Sequence, residues 1–445
     1  MASTYLTISA STPTSAQIGT MSFWVKRSGL SSTQILMAWD ENSTTYSRLY
    51  FNDSDRLAFK SLDNGNNYGE LITNRLFRDT SAWYHIVCTI DTTNGTSGDR
   101  IKYYVNGVRE TSFDTESQPS QNRNLKIGEA SNYIGRHSSS YYFDGSMTHL
   151  HYVDGTAYQA STFGESDSVS SIWKPKTSPT ISEYGLNGVF LKFENSGAMG
   201  TDSSGKGNTY TVSGNLTQNV DTASNNFATY NPLDNYYASS TFSNGNTTIV
   251  TNSGNTTYNT STLGIPPTMK CYWETKFDTV QAANGEVGIV NTPTTGSAAG
   301  AYRLYYQTYG ISVNDYGAIW SNNTNTGITL GTLSTSDIVC FAWDGVNQAL
   351  YVRKNGDAWI NSGDPTSGAS KTGAVKTFTG TRTMFPAVGD QSGAHAVGTS
   401  TNFGSGYFGT TQVASAGTAP SEGGIFEHDC PNGYQALCTK GINSF

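Results

Sequence analysis

Apolar and polar positions alternate in short runs along this chain, and the runs are separated by clusters of Gly, Asn, Asp and Ser. No stretch of a dozen residues carries apolar positions at helical spacing, so the pattern predicts strands and turns. In the first half the expected strands are Tyr5–Ile8 and residues 21–27, 34–39, 48–51, 56–62, 68–73, 124–127, 146–153 and 188–193. They follow one another too closely for intervening helices, which predicts antiparallel meanders packed as a sandwich. One pattern occurs twice. Residues 82–91 form an apolar strand ending at Asp91, followed after a Gly/Ser/Thr loop by a second strand ending at Asn106-Gly107. Residues 337–344 end at Asp344 and are followed by a strand ending at Asn355-Gly356. Asn-Gly accepts positive φ at both central turn positions and so suits the tight turns of hairpins. Two such hairpins, one per half, predict two β-domains, each built round a central antiparallel pair. Aligned on the Asp residues, Cys88 corresponds to Phe341 rather than to Cys340, so the two copies share a grammar rather than a residue-by-residue match.

Length and composition sharpen this reading. A chain of 445 residues is long for one core. Charged residues make up 13%, Gly numbers 47 and Tyr 27, a mix that supplies few helix formers, while 12% aromatic content argues against disorder. The expected fold class is all-β, with two antiparallel, jelly-roll-like β-sandwich domains in tandem. Net charge is −8 and no Lys/Arg cluster occurs, which argues against nucleic acid as a partner. No apolar run reaches the ~20 residues that would cross a bilayer, and residues 1–8 show no basic segment ahead of an apolar one, so neither membrane insertion nor a signal peptide is expected. Cys88, Cys271 and Cys340 lie in apolar strand patterns and read as small buried hydrophobes; all five thiols, Cys430 and Cys438 included, are expected unpaired.

Glu165-Ser166-Asp167 is the nearest approach to the alternating carboxylates of a glycosidase cleft, and it lies in a Ser/Gly-rich loop expected to be solvated. His149 and His151 have a metal-ligand spacing along one strand, but without a carboxylate beside them they read as a polar outer face. A spatially assembled Ser/His/Asp set has no local signature here. Asp91 and Asp99 bracket a Gly-rich loop and are weak calcium candidates, since Asp is also an ordinary turn former. The remaining signal is aromatic: Tyr316, Trp320 and Trp359 lie near Asn-rich loops, and such rings can stack on sugars or close the end of a sandwich.

Several motifs carry a family resemblance. Trp83-Tyr84-His85-Ile86-Val87, Tyr104-Val105-Asn106-Gly107, Tyr133-Ile134-Gly135 and Phe143-Asp144-Gly145-Ser146-Met147, in that order, resemble the laminin-G-like, concanavalin-type jelly roll over residues 1–196. Asp202-Ser203-Ser204-Gly205-Lys206-Gly207-Asn208 and Asn225-Asn226-Phe227-Ala228-Thr229-Tyr230-Asn231-Pro232-Leu233-Asp234 are similar to the junction that follows such a domain in structural proteins of tailed, notably marine, bacteriophages. Tyr272-Trp273-Glu274, Trp343-Asp344, Pro386-Ala387-Val388, Asn402-Phe403-Gly404 and Pro431-Asn432-Gly433-Tyr434 resemble a SPRY-type domain over 236–445, with 197–235 as the junction. The resemblance implies a virion structural protein — tail fibre, tail appendage or head decoration — assembled in the host cytoplasm. It implies other virion proteins and host-surface polysaccharide as partners, and a homo-oligomer, with a trimer favoured by family analogy. The expectation is therefore a binding protein with no catalytic set and no cofactor beyond calcium. The alternatives are a polysaccharide-degrading enzyme on the concanavalin-type fold and a lectin-like adhesin outside any virion.

Overall fold

The computed structural model describes residues 4–9, 11–137, 140–168, 171–234, 240–252, 256–280, 285–292, 303–390 and 396–445. The chain forms two compact units, Met1–Gln218 and Asn219–Phe445. Both are β-structures whose named strands pair antiparallel apart from one short parallel pairing in the second; the one α-helix among the described residues is the four-residue turn α1 (Thr439–Ile442).

The strands of the first unit are β1 (Tyr5–Ile8), β2 (Ile18–Arg27), β3 (Gln34–Asn42), β4 (Thr45–Phe51), β5 (Arg56–Asp63), β6 (Asn66–Leu76), β7 (Trp83–Asp91), β8 (Ile101–Val105), β9 (Val108–Arg109), β10 (Phe113–Ser117), β11 (Ser131–Ile134), β12 (Gly145–Asp154), β13 (Gly164–Ser166), β14 (Trp173–Pro175), β15 (Val189–Leu191) and β16 (Thr211–Ser213). One sheet runs β10-β6-β5-β4-β3-β11-β1-β16 and the other β15-β12-β2-β7-β8-β9. Alternation places Phe51, Phe59 and Leu71 of the first sheet against Phe23, Ile86, Tyr103 and Leu150 of the second in one buried core. Residues 124–127, expected as a strand, are a loop: the Leu125 N–H bonds the Ala16 carbonyl at 2.8 Å, and Leu125 and Ile127 plug the core singly.

In the second unit the strands are β17 (Thr241–Ser243), β18 (Thr248–Val250), β19 (Tyr258–Thr260), β20 (Lys270–Phe277), β21 (Gly285–Val290), β22 (Ile311–Asn314), β23 (Ala318–Ser321), β24 (Thr324–Thr329), β25 (Ile338–Asp344), β26 (Ala349–Lys354), β27 (Lys376–Thr377), β28 (Phe385–Asp390), β29 (Gly398–Asn402), β30 (Tyr407–Phe408), β31 (Thr411–Gln412) and β32 (Gln435–Ala436). One sheet runs β17-β18-β29-β20-β25-β26-β27, with β32 beside β20, and the other β19-β28-β21-β22-β23-β24. Trp273 on β20 stacks on Phe341 on β25 at 4.9 Å, facing Val287, Ile311 and Ile319 of the other sheet.

The two Asn-Gly hairpins occupy equivalent places. β7 and β8 lie between β2 and the short β9, and β25 and β26 lie between β20 and the short β27, so each pair is set toward one side of its sheet rather than at the centre. The side-chain oxygen of Asn106 accepts the His85 N–H at 2.8 Å, and that of Asn355 accepts the Ile338 N–H at 2.7 Å. Cys88 points into the main core and Cys340 to the opposite face of its sheet, as the offset between the two sequence copies requires. All five thiols are free and buried.

The expected junction divides between the units. β16 and Tyr210 belong to the first, where the Tyr210 hydroxyl donates to Asn132 at 2.5 Å, while Ala228 and Tyr230 lie in the core of the second. The expected boundary at residues 235 and 236 lies outside the described residues. Asp202 organises the loop before β16 by accepting the N–H groups of Phe190, Ser204 and Asn208.

Candidate functional site

The aromatic candidates occupy separate places. Tyr316 lies in the turn between β22 and β23 and is 52% exposed. Trp320 lies four residues on, near the far end of β23, opposite Ser312. Trp359 packs beside the buried cluster on the outer face of the other sheet, with the Arg353 guanidinium 4.6 Å over its ring. The three do not form one site.

Trp320 does have neighbours, and sequence reading missed them. Ile319 enters the core, so alternation turns Trp320 to the outer face of its sheet. There a single 3-10 turn, Leu304–Tyr306, brings Tyr305 to 5.1 Å from the Trp320 ring, and Tyr306 meets Tyr305 edge-on at 4.8 Å. Arg303 Nη1 donates to the Tyr305 hydroxyl at 3.1 Å and to the Tyr306 hydroxyl at 3.0 Å, clasping the two rings. The turn itself is anchored from beneath, because the buried Glu286 carboxylate accepts the Leu304 N–H at 2.8 Å. Burial and then the Arg303 hydrogen bond act in opposite directions on the Tyr305 hydroxyl, and burial prevails, raising its pKa. Tyr306 is 37% exposed, while Tyr305 is buried. The signal available in the sequence was Arg303-Leu304-Tyr305-Tyr306, a basic residue two and three positions ahead of paired tyrosines.

In the first unit the outer face of the six-stranded sheet is covered. Residues 156–168 and 171–184 cross it, and Ala160, Phe163 and Tyr184 bury Val87, Val153 and Phe190. This changes the reading of the histidines. His149 takes φ +47° at a bulge between Thr148 and His151, so the pair does not share the regular face expected of it. His151 is buried, stacked on Phe190 at 3.9 Å and bonded through Nδ1 to the Tyr184 hydroxyl at 2.8 Å. The expected polar outer face is thus an interior layer. Ser22 and His85 are also paired there, with Oγ and Nε2 2.9 Å apart. Trp173 Nε1 donates to His85 Nδ1 at 2.9 Å. An indole nitrogen can only donate, so Nδ1 is bare and the imidazole proton sits on Nε2, donating to Ser22. That imidazole cannot take the serine proton, and the pair does not form a nucleophile–base couple.

The carboxylate candidates have partners of their own. Asp91 accepts the Thr93 N–H and hydroxyl at 3.1 and 2.6 Å, and Asp99 pairs with Arg109 at 2.7 Å. The first is a turn contact and the second an ion pair, and carboxylates so engaged do not fit a calcium ion. Among the described residues no three His, Cys, Asp or Glu side chains converge as metal ligands would. Glu165 and Ser166 lie on β13 rather than in a loop, with their side chains exposed, and Asp167 just beyond pairs with Lys174 at 2.9 Å. A cavity of about 90 Å³ opens beside Trp39 and Tyr210. The amides on its wall are already engaged: Asn187 with Ser11 and Gly128, and Asn208 with Leu186 and Gly188.

Residues 1–161 match the laminin-G-type family model described as the concanavalin A-like lectin/glucanases superfamily, and the first unit has that fold. No curated protein matches the chain. Among solved structures, the SPRY domain of human HERC1 is similar at 13% identity over 39% of this chain and 96% of that one, with a TM-score of 0.31. The SAP-like pentraxin of Limulus polyphemus is similar at 13% identity over 35% of this chain and 71% of that one, TM-score 0.26. The CBM40 module of the Ruminococcus gnavus IT-sialidase, solved with α2,3-sialyllactose, is similar at 16% identity over 30% of this chain and 73% of that one, TM-score 0.24.

Proposed function

We propose that this chain is a non-catalytic glycan-binding protein, and that the ring cluster around Trp320 is where the glycan stacks. The observation that carries the reading is the clasped set Arg303, Tyr305, Tyr306 and Trp320. Three aromatic rings are held in fixed relation on the outer face of a sheet, with Tyr306 exposed and Tyr305 buried beside it. Fixed aromatic faces stack on the apolar faces of sugar rings, and the guanidinium and the Asn322-Asn323 turn beside it supply donors for hydroxyls. The concanavalin-type fold of the first unit is compatible with this role. The setting we propose is the virion of a tailed bacteriophage, with other virion proteins and a host-surface polysaccharide as partners and a homotrimer as the assembled form. Its support is the sequence resemblance of residues 202–208 and 225–234 to phage structural proteins. SPRY-type architecture for the second unit rests likewise on its motifs.

The test is binding of the full chain to purified host-surface polysaccharide. Tyr306→Ala and Trp320→Ala should each weaken binding several-fold, since one stacked ring contributes on the order of 1 kcal/mol. Tyr306→Ala should do so with an unchanged melting temperature. Undiminished binding in both variants would reject the site, and release of new reducing ends by the unaltered chain would reject the non-catalytic reading.

A further inference from the structure

We propose that Trp173 and His85 form an acid-released latch that holds residues 156–168 and 171–184 on the outer face of the first unit's six-stranded sheet. The covering segment is fastened at three places. At its start, the Thr20 hydroxyl donates to the Thr156 carbonyl at 2.8 Å, and the Thr89 hydroxyl donates to the Tyr158 carbonyl at 2.6 Å. At its end, the Tyr184 carbonyl accepts the Asp154 N–H at 2.8 Å, and the Tyr184 hydroxyl meets His151. Between them the hairpin of β13 and β14 is exposed at Glu165, Ser166 and Ile172, and Trp173 is its anchor. The indole lies against Gly107 and Gly164, where an added Cβ would come within 2.8 and 2.6 Å of the ring, and it stacks over His85 at 5.9 Å. The indole N–H donates to His85 Nδ1.

That bond needs a bare nitrogen. In acid the only place on this imidazole for a second proton is Nδ1, and the new N–H would then face the Trp173 N–H, two donors with no acceptor between them. Attraction becomes repulsion, and the hairpin lifts. The threonine hydroxyls do not titrate in this range. The Tyr184 hydroxyl can accept from a protonated His151 as well as donate to a neutral one, although burial holds the His151 pKa well below its ordinary value, so His151 adds a share of its own to the acid dependence.

Among the described residues, the charged group that acts on His85 is the like-charged His149. On the same face stand His149 and His151 of β12, Lys26 of β2, Lys102 and Tyr104 of β8 and Arg109 of β9. The cover contributes Tyr158, Tyr184, Glu165, Asp167 and Lys174, of which Asp167 and Lys174 pair with each other, and His149 in turn faces Lys192 and Glu194. Burial, and then the like charge of His149, hold the His85 pKa down from 6.5 to about 3. Lifting the hairpin restores the ordinary value, so the open form gains a proton as pH falls below 6.5. The opening constant should rise by up to tenfold for each pH unit between 6.5 and 3.

Hydrogen exchange of the full chain, read by mass spectrometry between pH 7.5 and 4.5 with intrinsic rates divided out, tests this. Peptides covering 160–168 and 171–178 should lose protection as the pH falls, while those from β2, β7 and β8 keep theirs. His85→Gln, which cannot titrate, should flatten that slope. Trp173→Phe, which keeps a ring on Gly107 and over His85 without the N–H, should raise exchange at pH 7.5 and lessen the slope only by the part that the lost N–H supplied. His151→Gln should remove only the share that His151 adds and leave the His85 share of the slope in place. A slope unchanged in both His85→Gln and Trp173→Phe, an absence of slope in the unaltered chain, or loss of protection spread equally over β2, β7 and β8 would each overturn the latch.

Discussion

At the scale of single residues, glycines reveal which turns also serve packing. Gly65 and Gly107 both sit at positive φ, +80° and +82°, after an Asn in a hairpin turn. An added Cβ at Gly65 meets nothing within 4 Å, whereas at Gly107 it meets the Trp173 ring at 2.8 Å. Gly65→Ala should therefore cost only the conformational penalty, about 1 kcal/mol. Gly107→Ala should cost that and the displacement of Trp173, about 2–3 kcal/mol in all. Equal losses in denaturant titrations of the two variants would show that Trp173 does not rest on the turn. The sequence made both Asn-Gly turns legible, because φ preference is local. It could not show that Gly107 carries Trp173 or that Gly356 carries His428, whose ring an added Cβ would meet at 2.6 Å, because those partners arrive from 66 and 72 residues away along the chain.

At the scale of elements, alternation located most strands and their inward faces, since a strand's two sides differ whenever one meets a core. It misjudged residues 124–127, whose two apolar side chains plug the core from a loop, and it misjudged the histidines of β12. Alternation distinguishes two faces without saying what covers the second. The covering segment escaped notice because Tyr158, Phe163, Trp173, Ile181 and Tyr184 follow no period and pack one by one. A usable signal was the unbroken apolar run Ile86-Val87-Cys88, matched by Ile338-Val339-Cys340-Phe341-Ala342-Trp343, since strands buried on both sides lose their alternation. In the second unit the corresponding cover includes Phe426, Cys430 and Tyr434. It is held by the buried Glu274, which accepts the Glu427 and His428 N–H groups at 2.9 and 2.8 Å and the Tyr272 hydroxyl at 2.9 Å. Burial outweighs these donors and raises the Glu274 pKa from 4.5 to about 7. A carboxyl with a raised folded-state pKa contributes stability that is full below 4.5 and is lost as pH rises through 7, here on the order of 3 kcal/mol. Protection of residues 425–437 in hydrogen exchange should thus fall between pH 4.5 and 7, and Glu274→Gln should abolish that slope whatever its own stability. Protection that rises over this range would mean that the three donors dominate and that the buried carboxylate is ionised.

At the scale of the whole molecule, fold class and the tandem arrangement were legible because they depend on composition and on the spacing of many strands. The candidate site was legible only in part. Trp320 stood out as an aromatic near an Asn-rich loop, but Arg303, Tyr305 and Tyr306 reach it through a 3-10 turn that no periodicity marks. Tyr316 and Trp359 shared the same sequence signal and lie elsewhere, because nearness to a loop does not fix which loops meet. The central claim is that a glycan stacks on this cluster. The most direct measurement is hydrogen exchange of the intact chain with and without saturating host-surface polysaccharide. The account predicts new protection in peptides covering 303–309 and 318–326, and none in the first unit's 160–178. Protection confined to the first unit, with 303–309 and 318–326 unaffected, would contradict it.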